Sequence, residues 1–178
     1  MVDMSYLELK KMVNFFYNMS YDDDIPEETE QETGPCISPL QLHARMFALG
    51  DRYDISGLRE VAVKKYSSKC AVAWIPLEFL ESTSDVYGRT PASLRQLRDA
   101  ACVVARKNLP KMLDDESVAT VYEKVLTETP EFTKDLLGIY VKAPLYGNCS
   151  TCCSNQVMEA LQVRCLRCGK GMPGFRPC

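Results

Sequence analysis

A hydroxyl residue followed by proline occurs three times in this chain, at Ser38-Pro39, Thr90-Pro91 and Thr129-Pro130. Each pair stands ahead of an apolar stripe. A serine or threonine N-cap offers a side-chain acceptor to the first turn, and proline at the next position lacks a donor that would go unpaired there. After Ser38-Pro39 come Leu42, Met46, Leu49 and Tyr53 on one helical face. After Thr90-Pro91 come Leu94, Leu97, Ala101, Val104, Ala105 and Leu109, up to Pro110, where the helix is expected to stop. After Thr129-Pro130 come Phe132, Leu136 and Ile139. The spacing of three and four adds helices over 3–19 (Leu9, Met12, Val13, Phe16, Met19), over Leu58, Val61, Ala62 and Tyr66, and over Leu77, Leu80, Ser84 and Tyr87. It adds another over Val118, Val121, Tyr122, Val125 and Leu126. Strand-like alternation is missing before residue 140. The expected fold is mainly α, a string of short helices joined by short turns, an arrangement that more often serves as an interaction scaffold than as a catalyst.

Two segments break this pattern. Asp22, Asp23, Asp24, Glu27, Glu28, Glu30 and Glu32 form an acidic stretch at 22–35 with no basic residue, expected to be a solvated loop. From residue 143 the chain turns rich in proline and glycine, and 143–178 holds six of the nine cysteines. So small an apolar content cannot build a core and needs a staple.

The staple is legible in the spacing. Cys149-Ser150-Thr151-Cys152 and Cys165-Leu166-Arg167-Cys168 are two C-x-x-C pairs twelve residues apart. Each tight turn presents two thiolates to one ion, and two such turns make a tetrahedral four-cysteine site. The expected cofactor is one structural Zn²⁺ on Cys149, Cys152, Cys165 and Cys168, with Cys153 adjacent as a substitute for Cys152. A closed four-thiolate site has no open position for water, so metal catalysis is not expected there. A redox dithiol reading would need a βαβ pattern around the pairs, which the sequence lacks.

Composition narrows the partners. The net charge of −3 is too mild to imply nucleic acid or an anionic membrane as the main partner. No apolar run approaches the roughly 20 residues of a bilayer span. With no basic-then-apolar leader at the start and an odd number of cysteines, reduced thiols in the cytoplasm or nucleus are expected. The sequons at Asn18 and Asn148 are then chance matches. His43 is the sole histidine, so the usual acid–base constellations cannot be assembled. A nucleophile–base pair of Cys36 with His43 lacks an orienting acid placed by the sequence. The chain is read as a non-enzyme.

Two stretches carry a family resemblance. Met12-Val13-Asn14-Phe15-Phe16-Tyr17-Asn18-Met19-Ser20-Tyr21 resembles the helix and turn near the middle of BTB/POZ domains. Leu42 to Arg59, with Gly50-Asp51-Arg52-Tyr53 followed by Asp54-Ile55-Ser56-Gly57-Leu58, resembles the next two helices of that domain, joined by their D-I-x-G-L turn. Gly50 stands where the family usually has alanine, which reads as a mild change. Later residues, among them Trp74, Pro76, Glu78-Phe79-Leu80 and Pro130-Glu131-Phe132, resemble the helical extension behind BTB domains in fungal proteins, several of which end in paired C-x-x-C knuckles.

The resemblance implies three parts: the C-terminal half of a BTB/POZ-like α/β fold over 1–72, a helical extension over 73–142, and a small zinc-ribbon-like tail over 143–178. A complete BTB domain begins with strands and helices ahead of the segment equivalent to residues 3–19, where this chain starts. The apolar residues Leu9, Met12, Phe16, Leu42, Met46 and Leu49 are therefore expected to be partly uncovered. The implied function is a non-catalytic protein-interaction module, an adaptor in ubiquitin-ligase or transcriptional complexes, with a cullin or a second BTB domain as partner and self-association open to it. The alternative is a zinc-ribbon nucleic-acid binder. Its support is the basic tail, where Lys142, Arg164, Arg167, Lys170 and Arg176 oppose Glu159. Four thiolates and one Zn²⁺ reduce that excess of +4 to +2, too little to drive phosphate binding alone.

Overall fold

The computed structural model describes residues 4–25, 37–142, 145–149 and 153–158. The fold is mainly helical. In chain order it comprises α1 (Tyr6–Asn18), α2 (Pro39–Arg52), α3 (Ser56–Val72), α4 (Pro76–Arg89), α5 (Arg95–Asp114), α6 (Glu116–Glu128), α7 (Pro130–Lys142), β1 (Leu145–Cys149) and β2 (Cys153–Met158). It divides into two compact units, residues 1–133 and 134–178.

In the first unit α2 is the central element, packed against α1, α3 and α4. Its start is doubly capped. Ser38 Oγ accepts the Gln41 amide at 3.2 Å, and Gln41 Oε1 accepts the Ser38 amide at 2.9 Å. The next free amide, that of Leu40, donates to Glu78 Oε1 on α4, so a carboxylate sits at the positive end of α2. Leu42, Met46 and Leu49 are buried, and so are Leu40, Ala44 and Phe47. A helix apolar on so much of its circumference is covered on several sides. The expectation that Leu42, Met46 and Leu49 would be partly uncovered is thus corrected: α3 and α4 supply the cover.

The turn from α2 to α3 is compact. Asp54 adopts the left-handed region at φ 53°, and the Ile55 amide donates to the Gly50 carbonyl at 2.7 Å. Gly50 is more than a mild departure from alanine. A Cβ there would lie 2.9 Å from Arg59 Cγ and 3.0 Å from Arg59 N, so the glycine lets the first turn of α3 approach α2 closely.

Three expectations about the helices change. Thr90 is the C-cap of α4 and not the start of α5. Its Oγ1 donates to the Val86 carbonyl and accepts from Arg98 Nε, so the hydroxyl is held against α4 and the N-cap of α5 falls at Leu94. Next, α5 runs through Pro110 to Asp114. Proline there forfeits one donor, while the turn beyond it places Met112 wholly in the core. Finally, the buried face of α4 is Phe79, Leu80, Ser82, Thr83, Val86 and Tyr87, with Leu77 and Ser84 outside. Ser82 and Thr83 tolerate burial because both hydroxyls donate to the Phe79 carbonyl, at 2.7 and 3.0 Å.

The second unit contains the strands β1 and β2, paired antiparallel with Leu145 opposite Met158, Tyr146 opposite Val157 and Cys149 opposite Cys153. Among the described residues no helix is long and apolar enough to cross a membrane.

Candidate functional site

Helix α1 is amphipathic in an inverted sense. Its capping box, Ser5 with Glu8, fixes where it starts. From there, positions 8, 11 and 15 turn inward, so Glu8, Lys11 and Phe15 are buried. The outward positions carry Tyr6, Leu9, Val13, Phe16 and Tyr17, which are 62, 39, 43, 54 and 84% exposed. Apart from the buried Phe15 and the half-buried Leu7 and Met12, the apolar residues of α1 thus face away from the unit, as expected of Leu9 and Phe16.

Each inward charge has a partner. Glu8 accepts from the Ser5 amide at 3.1 Å and pairs with Arg45 Nη1 at 3.5 Å. Lys11 donates to the Asp22 carboxylate and, at 2.7 Å, to the Asp24 carbonyl. Asn14 Nδ2 also reaches Asp22, at 3.0 Å. The hydrogen bond from Lys11 holds the Asp22 carboxyl below its ordinary range. The first part of the acidic stretch therefore differs from the solvated loop expected: Asp22 and Asp23 bind cationic side chains that the helices present. The remainder, 26–35, lies outside the described residues. The sequence held a signal for this arrangement. Lys10 and Lys11 are the only cations in the first twenty residues, three turns from a run of aspartates.

Asp23 leads to the histidine. Lys65 Nζ donates to Asp23 Oδ1 at 2.7 Å and lies 5.3 Å from the centre of the Tyr21 ring. The Tyr21 hydroxyl meets His43 Nδ1 at 2.9 Å, and both side chains are buried. Burial raises the Tyr21 pKa, so its phenol stays protonated and donates to Nδ1. The proton of neutral His43 then sits on Nε2, which has no hydrogen-bond partner among the described residues and stands 3.7 Å from Asp23 Oδ2. Burial first, and Lys65 and Lys69 after it, push the His43 pKa down to about 4, against the pull of Asp23.

This histidine should make the fold acid-sensitive. Unfolded, it takes up a proton near pH 6.5; folded, only near 4. The contribution is whole above pH 6.5 and is lost as the pH falls to about 4. It amounts to about 3 kcal/mol. Denaturant melts of the wild type and His43→Gln between pH 7 and 4 should show a stability difference that shrinks by roughly that amount. A difference that stays constant across the range would contradict the assignment.

The cysteines fall into two groups. Cys102 is core, as expected, with its Sγ 3.2 Å from the Tyr87 hydroxyl. Cys70 is buried too, and burial with the nearby Glu78 pushes its thiol up to about 12. Cys36, Cys152, Cys165 and Cys168 lie outside the described residues, as does the side chain of Cys149. Among the described residues no three His, Cys, Asp or Glu side chains gather as a metal set. The backbone carries one relevant feature. Cys149 ends β1 opposite Cys153 at the start of β2.

Compared with models of known protein families, with curated proteins and with solved structures, the chain matches none.

Proposed function

We propose that this chain is a non-catalytic protein-interaction module of the BTB/POZ class whose docking surface is the outward face of α1. The observation that carries the reading is the inverted helix. Burying Glu8 and Lys11 while leaving Tyr6, Leu9, Val13, Phe16 and Tyr17 in water is costly unless another protein covers that face. The rings on it are the residue types that anchor interfaces, large and with few rotamers to freeze. The compact D-I-x-G-L turn between α2 and α3 supports the family. A role without catalysis is supported by the side chains that would have to react: His43 is sealed in the core on Tyr21, and the Cys70 thiol is held far from its thiolate form.

In the same reading the tail is stapled by one structural Zn²⁺ on Cys149, Cys152, Cys165 and Cys168. The antiparallel pairing of β1 with β2 supports this, since it sets Cys149, the first of the four, opposite a second cysteine, Cys153.

The partner is a cullin N-terminal domain or a second copy of a BTB-class chain. Sedimentation equilibrium of the full chain, alone and with a purified cullin N-terminal domain, tests this. Association is expected, and Val13→Asp with Phe16→Asp should weaken it at least about a hundredfold, because each buries a charge in the apolar contact. Both positions are exposed, so the double variant should melt within about 1 kcal/mol of the wild type. A chain that stays monomeric and ignores the cullin, or a variant that associates unchanged, would contradict the proposal.

A further inference from the structure

Apolar side chains are exposed at a second place on the first unit, the corner where α3 ends and α4 begins. Val72, Ile75 and Leu77 all stand in water there, close together in the chain. The other large apolar residues exposed among the described residues of this unit, Tyr53, Val103 and Leu113, stand singly, which is ordinary for a surface. We propose that the corner receives the outward face of α1 from a second copy of the chain, so that copies join head to tail. The proposal rests on the reading of that face as a docking surface.

Charge selects the second copy. Lys10 is the one charge that α1 exposes, since Glu8 and Lys11 turn inward. It has no ion-pair partner among the described residues. The aspartates that follow lie beyond the C-cap at Met19, where Lys11 and Lys65 hold Asp22 and Asp23. A two-fold contact of α1 with its own copy, centred on the helix, would set one Lys10 near the other with no acid on either face. Like charges brought together in this way oppose the contact. The corner offers the opposite sign. Glu81 follows Leu77 by one turn on the same side of α4 and is exposed. It too has no ion-pair partner among the described residues. Its neighbours leave it uncompensated. Glu78 is taken up with the Leu40 amide, and Lys69 lies near enough to act on His43, so it faces α2. Lys64 stands about 12 Å back along α3 from Val72. One surface thus carries aromatic rings around a lysine, the other aliphatic side chains beside a glutamate.

One copy has room to use both surfaces. Phe15, on the inner side of α1, lies 3.4 Å from where a Cβ of Gly57 would stand, so α1 meets the first turn of α3. Val72 ends that helix about 22 Å further on. A contact between two unlike surfaces leaves one of each kind open, and copies add until the rotation closes a ring.

Sedimentation velocity of the full chain over a range of concentrations tests this with two variants, each keeping one surface. Val13→Asp/Phe16→Asp spoils the α1 face and keeps the corner. Ile75→Asp/Leu77→Asp spoils the corner and keeps α1. Aspartate suits the N-cap and first turn of α4, so the melting temperature of the corner variant should not fall. The wild type should associate, and each variant alone should stay monomeric. Mixed in equal amounts, the two variants should form a dimer of one copy each and nothing larger, because a single intact pair of surfaces remains. Lys10→Glu or Glu81→Lys should each weaken wild-type association about fivefold, and the two together should restore it. A monomeric wild type, a corner variant that associates like the wild type, or a mixture that stays monomeric would overturn the proposal. A corner variant that associates while the α1 variant does not leaves the docking surface on α1 standing, as does a monomeric wild type that binds the cullin domain. Association of the α1 variant at the wild-type level would remove both readings.

Discussion

Full-length protein purified without added metal should contain one equivalent of zinc, and the variant Cys165→Ser/Cys168→Ser should contain almost none. Residues 143–178 are too poor in apolar side chains to offset the conformational entropy of ordering them, roughly 1–2 kcal/mol per residue for the backbone alone. A structural zinc site supplies about 10–16 kcal/mol near neutral pH. Removing the ion should therefore unfold the tail and leave the first unit intact, because that unit has its own core on α2. Limited proteolysis after chelation should cut beyond residue 143 and spare residues 37–133. Acid should release the ion as the thiolates take up protons. Full zinc content in the double variant would exclude the four-cysteine site.

Arg98→Leu should destabilise the first unit by roughly 3–5 kcal/mol. Arg98 is 3% exposed. Its Nη2 donates to the Thr90 carbonyl at 2.5 Å and to the Tyr87 carbonyl at 3.2 Å. Those are the last carbonyls of α4, which have no partner within their own helix. The guanidinium also lies 4.6 Å from the centre of the Tyr87 ring. Leucine would remove the donor to both carbonyls in the core. The ion pair with Glu131, at 2.7 Å, is the smaller part, because Glu131 is 61% exposed and water can replace its partner. Glu131→Gln should therefore cost less than about 1 kcal/mol. Urea melts of the two variants decide the point, and equal losses would show that the ion pair, not the helix end, is what Arg98 supports.

The starts of α2 and α7 were legible, since proline opens both helices and the Ser38 cap acts locally. Thr90-Pro91 carries the same two letters and misleads. Its hydroxyl is claimed by Val86 and by Arg98, eight residues away, and no local reading sees that bond. The core of α2 was read correctly from Leu42, Met46 and Leu49, but its cover was not, because cover depends on which helices return to pack there. On α1 the spacing identified the apolar stripe, yet periodicity alone does not say which way a stripe faces. The deciding fact is that Glu8 and Lys11 find Arg45 and Asp22, a long-range match of charges. The sequence argued only that His43 has no orienting acid nearby and left its burial open, because its partner Tyr21 lies 22 residues away across the acidic segment. Gly50 looked like a small departure from a pattern, and only the position of Arg59 shows why a side chain is excluded there.

The claim that the outward face of α1 is a docking surface is tested most directly by hydroxyl-radical footprinting of Tyr6, Phe16, Tyr17 and Met19. The full chain is labelled alone at low concentration, at high concentration, and with a saturating cullin N-terminal domain. All four side chains are more than half exposed in the free chain and should react readily there. In the complex, or in the self-associated form, Tyr6, Phe16 and Tyr17 should become protected together while Tyr53, itself half exposed at the C-cap of α2, keeps its reactivity. Rings on α1 that label as fast in the assembled state as in the free chain would contradict it.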